Sequence, residues 1–370
     1  MSNPTKKESD EFIQYVEHKD LFTIARAHWI QLFKVNMQHT IIAQTFINIA
    51  EQHPHLKPYW TFMRTSRPFN TIEVNSLDED SESLDEDVKQ VVKSGILQDS
   101  STFITANLKD NHDHKFSNHI STVQAVMTIL MDNIDDYKSL VKVMREFGSY
   151  HFFYEAFEPH FELFHQHFMT VIKRLLANTT EEVDDKIEKS WNALFEELKE
   201  NMSYGVALQR HIYLKTAFTL DDILVVEDDW HKIEAYGLDK VGDLIYNRMI
   251  VKYVLILKDM DISLPLDINV EYKKIKQISH QVIYTLQIAI KNYSIEDGFA
   301  NLPELVTDFT LNYTLITICP MVFRKAFNDA LIHSLSILMG NDTMKECKIH
   351  IWGKLYRILE QAIMTNIARL

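Results

Sequence analysis

Two histidines stand on helical faces that are otherwise apolar. His119 shares its face with Phe116, Ile120, Val123, Val126, Met127 and Leu130, spaced by threes and fours. His151 ends a second such face, in line with Leu140, Met144 and Phe147. A neutral imidazole is a good nitrogen donor to a metal ion and titrates near neutral pH. Alone, each would read as a satisfied core residue; as a pair they must be weighed together. A second group, His160, His165 and His167, falls in EPHFELFHQHF. Positions five and seven apart on a helix can share a face, so a metal site is one reading. No carboxylate or cysteine partner has supporting spacing, and exposed helical histidines is the preferred reading. There is no GxSxG, no HExxH, no Walker loop and no glycine-rich dinucleotide fingerprint. No catalytic group is assigned, and an enzyme is not expected.

The elements that must position these side chains are helices. The faces predict helices over 116–134 and 138–151, preceded by helices over 20–33 and 40–52. His53-Pro54 then forces a break, because proline disfavours helix at the residue before it. Trp191, Leu194, Phe195 and Leu198 mark a further helix. The chain has 370 residues, 46 % of them hydrophobic, with only eight glycines and eight prolines. So few chain-reversing residues argue against an all-β protein and against glycine-rich phosphate loops. The expected class is all-α. Acids exceed bases, 52 against 38, which disfavours nucleic acid and anionic membranes as partners. Cys319 and Cys347 form no CxxC and imply no disulfide framework. No apolar run of signal-peptide or membrane-spanning kind is present, and Ser2 stands where myristoylation requires glycine. A cytoplasmic protein is expected.

The helical pattern fades over about 63–115. Within it, Ser76–Asp87 reads SLDEDSESLDED, which has the composition of a solvated loop. Ser76 and Ser83 precede acids and suit an acid-directed kinase, although a solubilising loop is the simpler reading. The chain also repeats itself. Trp352, Leu355, Tyr356 and Leu359 reproduce the spacing of Trp191, Leu194, Phe195 and Leu198, and Pro159 and Pro320 each open a helix. Trp29 and Trp230 lie near the start of each half. The offset falls by about 40 residues between the early tryptophan and the mid-domain helix in the first half, which an insertion there explains. The expected organisation is a tail at 1–19 and a first domain at 20–205, with the acidic insertion at about 63–115. A linker at 206–220 and a second domain at 221–370 follow.

The first half resembles the globin family, and within it the invertebrate, nematode-type globins. Trp29 matches the tryptophan of the first helix. Phe46, eight residues before Pro54, matches the large distal apolar residue. Trp60, or Phe62 if the register slips by two, matches the aromatic at the following corner. Phe116-Ser-Asn-His119-Ile-Ser-Thr-Val123 matches the distal helix, Phe147-Gly148-Ser149-Tyr150-His151 the proximal segment, and Trp191 the last helix. The resemblance implies one haem b in the first domain. It implies His151 as proximal iron ligand through Nε2, with its Nδ1–H bonded to a carbonyl near Phe147. It implies His119 on the distal side, either donating to bound gas or itself meeting the iron. Phe46, Trp60, Val123 and Phe147 would line the cofactor, and Gly148 would let helix and haem approach closely. Arg64 and Lys115 are candidates for the propionates.

In the second half the same alignment puts Phe309 at the position of His151 and Ile278 at that of His119, with His280 two residues on. Phenylalanine cannot ligate iron. The second domain is therefore read as a degenerate, haem-free globin, with His280 ligating alone as the rival. The resemblance implies reversible binding of dioxygen or another diatomic gas. The haem-free domain points to sensing or regulation, with a homo-oligomer or signalling partner as its use. The rivals are a haem redox enzyme served by a separate reductase, and a haem-free interaction protein.

Overall fold

The structure, a computed structural model, describes residues 6–53, 56, 113–154, 156, 158–177, 179–259, 268–314, 320–340 and 343–367. Among them are thirteen α-helices and no β-strand, so the protein is all-α, as its composition predicts. No helix among the described residues is long and apolar enough to cross a membrane. The chain divides into two compact units, Met1–Gly205 and Val206–Leu370.

The first unit holds α1 (Lys6–Lys34), α2 (Gln38–Gln52), α3 (Asp113–Asp132), α4 (Tyr137–Phe153) and α5 (Glu158–Leu176). It also holds the start of α6 (Asp185–Thr216). Residues 6–19, read from sequence as a tail, are the opening turns of α1. Tyr15 explains why they fold: it is buried, and its hydroxyl donates to the Ile134 carbonyl at 2.7 Å. The α2 helix ends at Gln52, one residue before His53-Pro54, and packs against both α3 and α5. Asp136 caps α4 by accepting from the backbone N–H of Lys138 and Ser139, satisfying donors that have no helical partner. Along α4, Leu140, Met144, Gly148 and Phe152 are buried at intervals of four, so one stripe faces the core. The core gathers Phe22, Trp29 and Leu32 from α1 with Phe168 from α5 and Trp191 and Phe195 from α6.

The second unit holds α7 (Leu220–Tyr236), α8 (Leu238–Asp259), α9 (Ile268–Lys291), α10 (Leu302–Leu305), α11 (Thr307–Thr314), α12 (Pro320–Met339) and α13 (Glu346–Ile367). The α6 helix runs on to Thr216, so most of the segment expected as a linker is helical. Thr219 and Asp222 form a capping box that starts α7. Here α8 packs against α9 and α12, the arrangement that α2 has with α3 and α5. Both Pro159 and Pro320 lie in the first turn of a helix, where the missing N–H costs nothing.

A tryptophan clasp closes each unit. In the first, Trp29 meets Trp191 edge-on at 6.1 Å, and Trp191 Nε1–H donates to His28 Nδ1 at 2.9 Å across 163 residues. In the second, Trp230 stacks on Trp352 at 6.3 Å, and Trp352 Nε1–H donates to Asp229 Oδ2 at 3.2 Å across 123 residues. In both, the acceptor is the residue immediately before the early tryptophan. Lys348 adds a bond to the fully buried Asp229 at 2.5 Å.

Candidate functional site

Three helices of the first unit bring the sequence-read residues together. His151 lies in the last turn of α4, and its Nδ1 is 2.7 Å from the Phe147 carbonyl one turn back. A carbonyl can only accept, so Nδ1 carries the proton and Nε2 keeps its lone pair. Burial holds the imidazole below its ordinary range, and the bond to Phe147 opposes that shift without cancelling it. The side chain is deeply set, yet part of its surface stays uncovered by protein. His119 projects from α3 toward the same space. Burial pushes its pKa down to about 4, and the nearness of His151 adds to the push, because two like charges oppose each other there. At neutral pH both rings are therefore neutral.

Aromatic rings enclose the pair. Phe46, on α2, meets the His119 ring edge-on at 5.0 Å and the Phe164 ring at 5.3 Å. Phe161 meets His151 edge-on at 5.5 Å. Val123, one turn along α3 from His119, and Phe147, one turn before His151, are half-buried and pack on the core. So the structure groups Phe46, His119, Val123, Phe147 and His151. Trp60, Phe62 and Arg64 lie outside the described residues, as does the acidic segment with Ser76 and Ser83. Lys115 is exposed at the start of α3.

Phe161 and Phe164 are missing from the sequence reading. Their signal was present in EPHFELFHQHF, where phenylalanines at 161, 164 and 168 follow helical spacing. The histidines of this segment also differ from expectation. His165 and His167 are buried rather than exposed, because α5 packs on α2 and carries the aromatic core on its neighbouring face. His165 stacks on Phe195 at 4.8 Å, and His167 meets His53 edge-on at 5.4 Å.

Gly148 does something other than expected. A Cβ there would overlap the Met202 carbonyl of α6. At Gly205 a Cβ would overlap the Arg145 carbonyl of α4. The two glycines let α4 and α6 cross backbone to backbone. Gly148 thus fixes the helix that carries His151 and is not a clearance for a ligand.

The second unit offers no matching pair. Phe309 and Ile278 are buried in its apolar core. His280 faces α8 instead, with Nε2 3.0 Å from Asp243 Oδ1 and Nδ1 3.5 Å from Asp239 Oδ1. The other four histidines of this unit, His211, His231, His333 and His350, are exposed.

Residues 102–202 match the globin family model. The globin match runs through α3, α4 and α5 into α6, and so includes both His119 and His151. No curated protein matches the chain.

Proposed function

We propose that the first unit binds one haem b and, through it, reversibly binds dioxygen or another diatomic gas, in a sensing or regulatory role. The observation that carries this reading is the pair of neutral histidines turned into one aromatic space, within the stretch that matches the globins. The donor set suits the group. His151 presents an Nε2 lone pair whose direction is fixed by the Nδ1–H bond to Phe147, the outer-shell arrangement that strengthens and orients an imidazole ligand. When bound, the haem would supply an iron that takes a neutral imidazole donor and a small gas. His119, neutral at physiological pH, would supply one ring N–H to the bound gas. Phe46, Val123 and Phe164 exclude water around that N–H, which strengthens its hydrogen bond in a low-dielectric site. Phe161 holds the His151 ring from the side.

The second unit is read as a degenerate copy of the first. Its packing and its tryptophan clasp resemble those of the first unit, and the clasp partners of the first unit are 40 residues further apart, in line with the drop in repeat offset that an insertion there would explain. With Phe309 in the proximal position and no histidine turned inward, it binds no haem and serves as an interaction surface. Within the family, the invertebrate, nematode-type globins are the branch proposed for the first unit.

The test is an absorption spectrum of the purified ferric and ferrous protein with haem counted per chain. One haem per chain and a strong Soret band are expected. His151→Ala is expected to lose haem or hold it weakly, while the folded helical content persists. No haem after reconstitution would overturn the reading, and two per chain would overturn the assignment of the second unit.

A further inference from the structure

On the side of α5 away from α2's partners, a second set of ligand-type groups converges, independent of the haem reading. Glu162 and His165 lie three apart on α5, and Glu196 lies on α6. One donor atom from each falls within 4.8 Å of the others. The histidine is the informative member. His165 is 9 % exposed, and its Nε2 is 2.9 Å from Asn192 Oδ1. The amide oxygen accepts, so Nε2 carries the proton and Nδ1 a lone pair. Buried Nδ1 has no hydrogen-bond partner and lies 3.8 Å from Glu196 Oε1. The Nδ1 lone pair and the Glu196 carboxylate face each other with no hydrogen bond between them. Stacking on Phe195 keeps the ring from turning away.

Lys199 shows what the site lacks. Its Nζ is 2.8 Å from Glu162 Oε2 and 2.7 Å from Glu196 Oε2. One ammonium thus answers two carboxylates and leaves the His165 lone pair unused. An ammonium has no empty orbital for a nitrogen donor, whereas a metal dication accepts all three. Lys199 is part-exposed on a flexible stem and can swing into solvent.

We propose that Glu162, His165 and Glu196 form a binding site for a divalent metal ion of the zinc class, with Asn192 holding the His165 tautomer and Lys199 occupying the place of the ion in its absence. One nitrogen and two carboxylate oxygens suit zinc, and ordinary bond lengths would draw the three donors to about 3.3 Å apart. A water completes the set. Sequence spacing offered no carboxylate partner for these histidines, yet Glu162 lies one turn before His165 and Glu196, remote in the chain, is brought beside it by the next helix.

Metal-free full-length protein titrated with zinc chloride by calorimetry at neutral pH tests the site. One micromolar or tighter site is expected, equal in haem-loaded and haem-free protein. Glu196→Gln and Asn192→Leu are expected to weaken it roughly 10- to 100-fold, as loss of a ligand or its orienting partner does. Lys199→Met is expected to tighten it. His350→Ala, at an exposed histidine of the second unit, is expected to change nothing. Circular dichroism confirms that each variant is folded. Unchanged affinity in Glu196→Gln and Asn192→Leu would overturn the proposal. So would loss of the site on haem loading, weaker binding by Lys199→Met, or no site tighter than millimolar.

Discussion

At the scale of single residues, the informative quantity is where each imidazole keeps its proton. His119 is held neutral by burial and by His151, so it can donate a hydrogen bond at any pH the cell offers. His119→Leu is expected to retain haem and to speed dioxygen dissociation roughly 10- to 100-fold, the kinetic value of a charge-assisted bond of about 1.5–3 kcal/mol. Stopped-flow displacement of the gas measures it, and an unchanged rate would remove His119 from the mechanism. His28 makes the opposite demand. Its Nδ1 accepts from Trp191, so it must stay unprotonated there, and burial lowers its pKa from the ordinary 6.5. The unfolded chain therefore binds a proton at a higher pH than the folded chain does. Stability is complete above the unfolded value and falls as pH drops below about 6.5. The urea midpoint of the haem-free protein should fall over that range, and His28→Gln should flatten the slope. His119 and His151 were legible in sequence because an imidazole interrupts an apolar stripe. The family resemblance also implied the His151 tautomer, and the bond of Nδ1 to the Phe147 carbonyl agrees with it. The roles of the His28 and His165 nitrogens were not legible, since they depend on which atoms come within 3 Å.

At the scale of helices, the pocket depends on how closely α4 and α6 cross. Gly148 and Gly205 each approach a carbonyl of the other helix, so neither position has room for a methyl group. Gly148→Ala is expected to destabilise the protein by about 1–3 kcal/mol through overpacking, and to weaken haem retention by displacing the turn that carries His151. Urea unfolding reads the first effect and haem transfer to an acceptor protein the second. A stable Gly148→Ala variant that keeps its haem would refute this account of the crossing. The helices themselves were legible from apolar periodicity: α2 and α4 begin within two residues of their expected starts. The role of Gly148 was not legible. A glycine beside a ligand histidine suggests clearance for the ligand, and its real neighbour, Met202, lies far along the chain. Phe161 and Phe164 show the same limit. Their helical spacing with Phe168 was visible in the sequence, but only the packing of the rings shows that Phe164 meets Phe46 and Phe161 meets His151.

At the scale of the whole chain, each of the two units is closed by its own tryptophan clasp. Lys348→Met removes a partner from the fully buried Asp229, leaving Lys232 at 3.4 Å and the Trp352 indole. It is expected to destabilise the second unit by up to about 3 kcal/mol while leaving haem content per chain unchanged. Chemical unfolding beside the Soret absorbance checks both, and haem loss in Lys348→Met would show that the cofactor lies in the second unit. The two clasps were foreshadowed in sequence because tryptophans and prolines are rare and their spacing recurs. Closure entropy grows slowly with length, so a clasp closing 163 residues costs only about 0.2 kcal/mol more than one closing 123. The clasps also impose a timetable. A ribosome releases the chain from its N-terminus, so His28 and Trp29 must wait for Trp191, and Asp229 and Trp230 for Trp352. Each core stays open until nearly all of its own unit has been made, and the first unit is ready to close first.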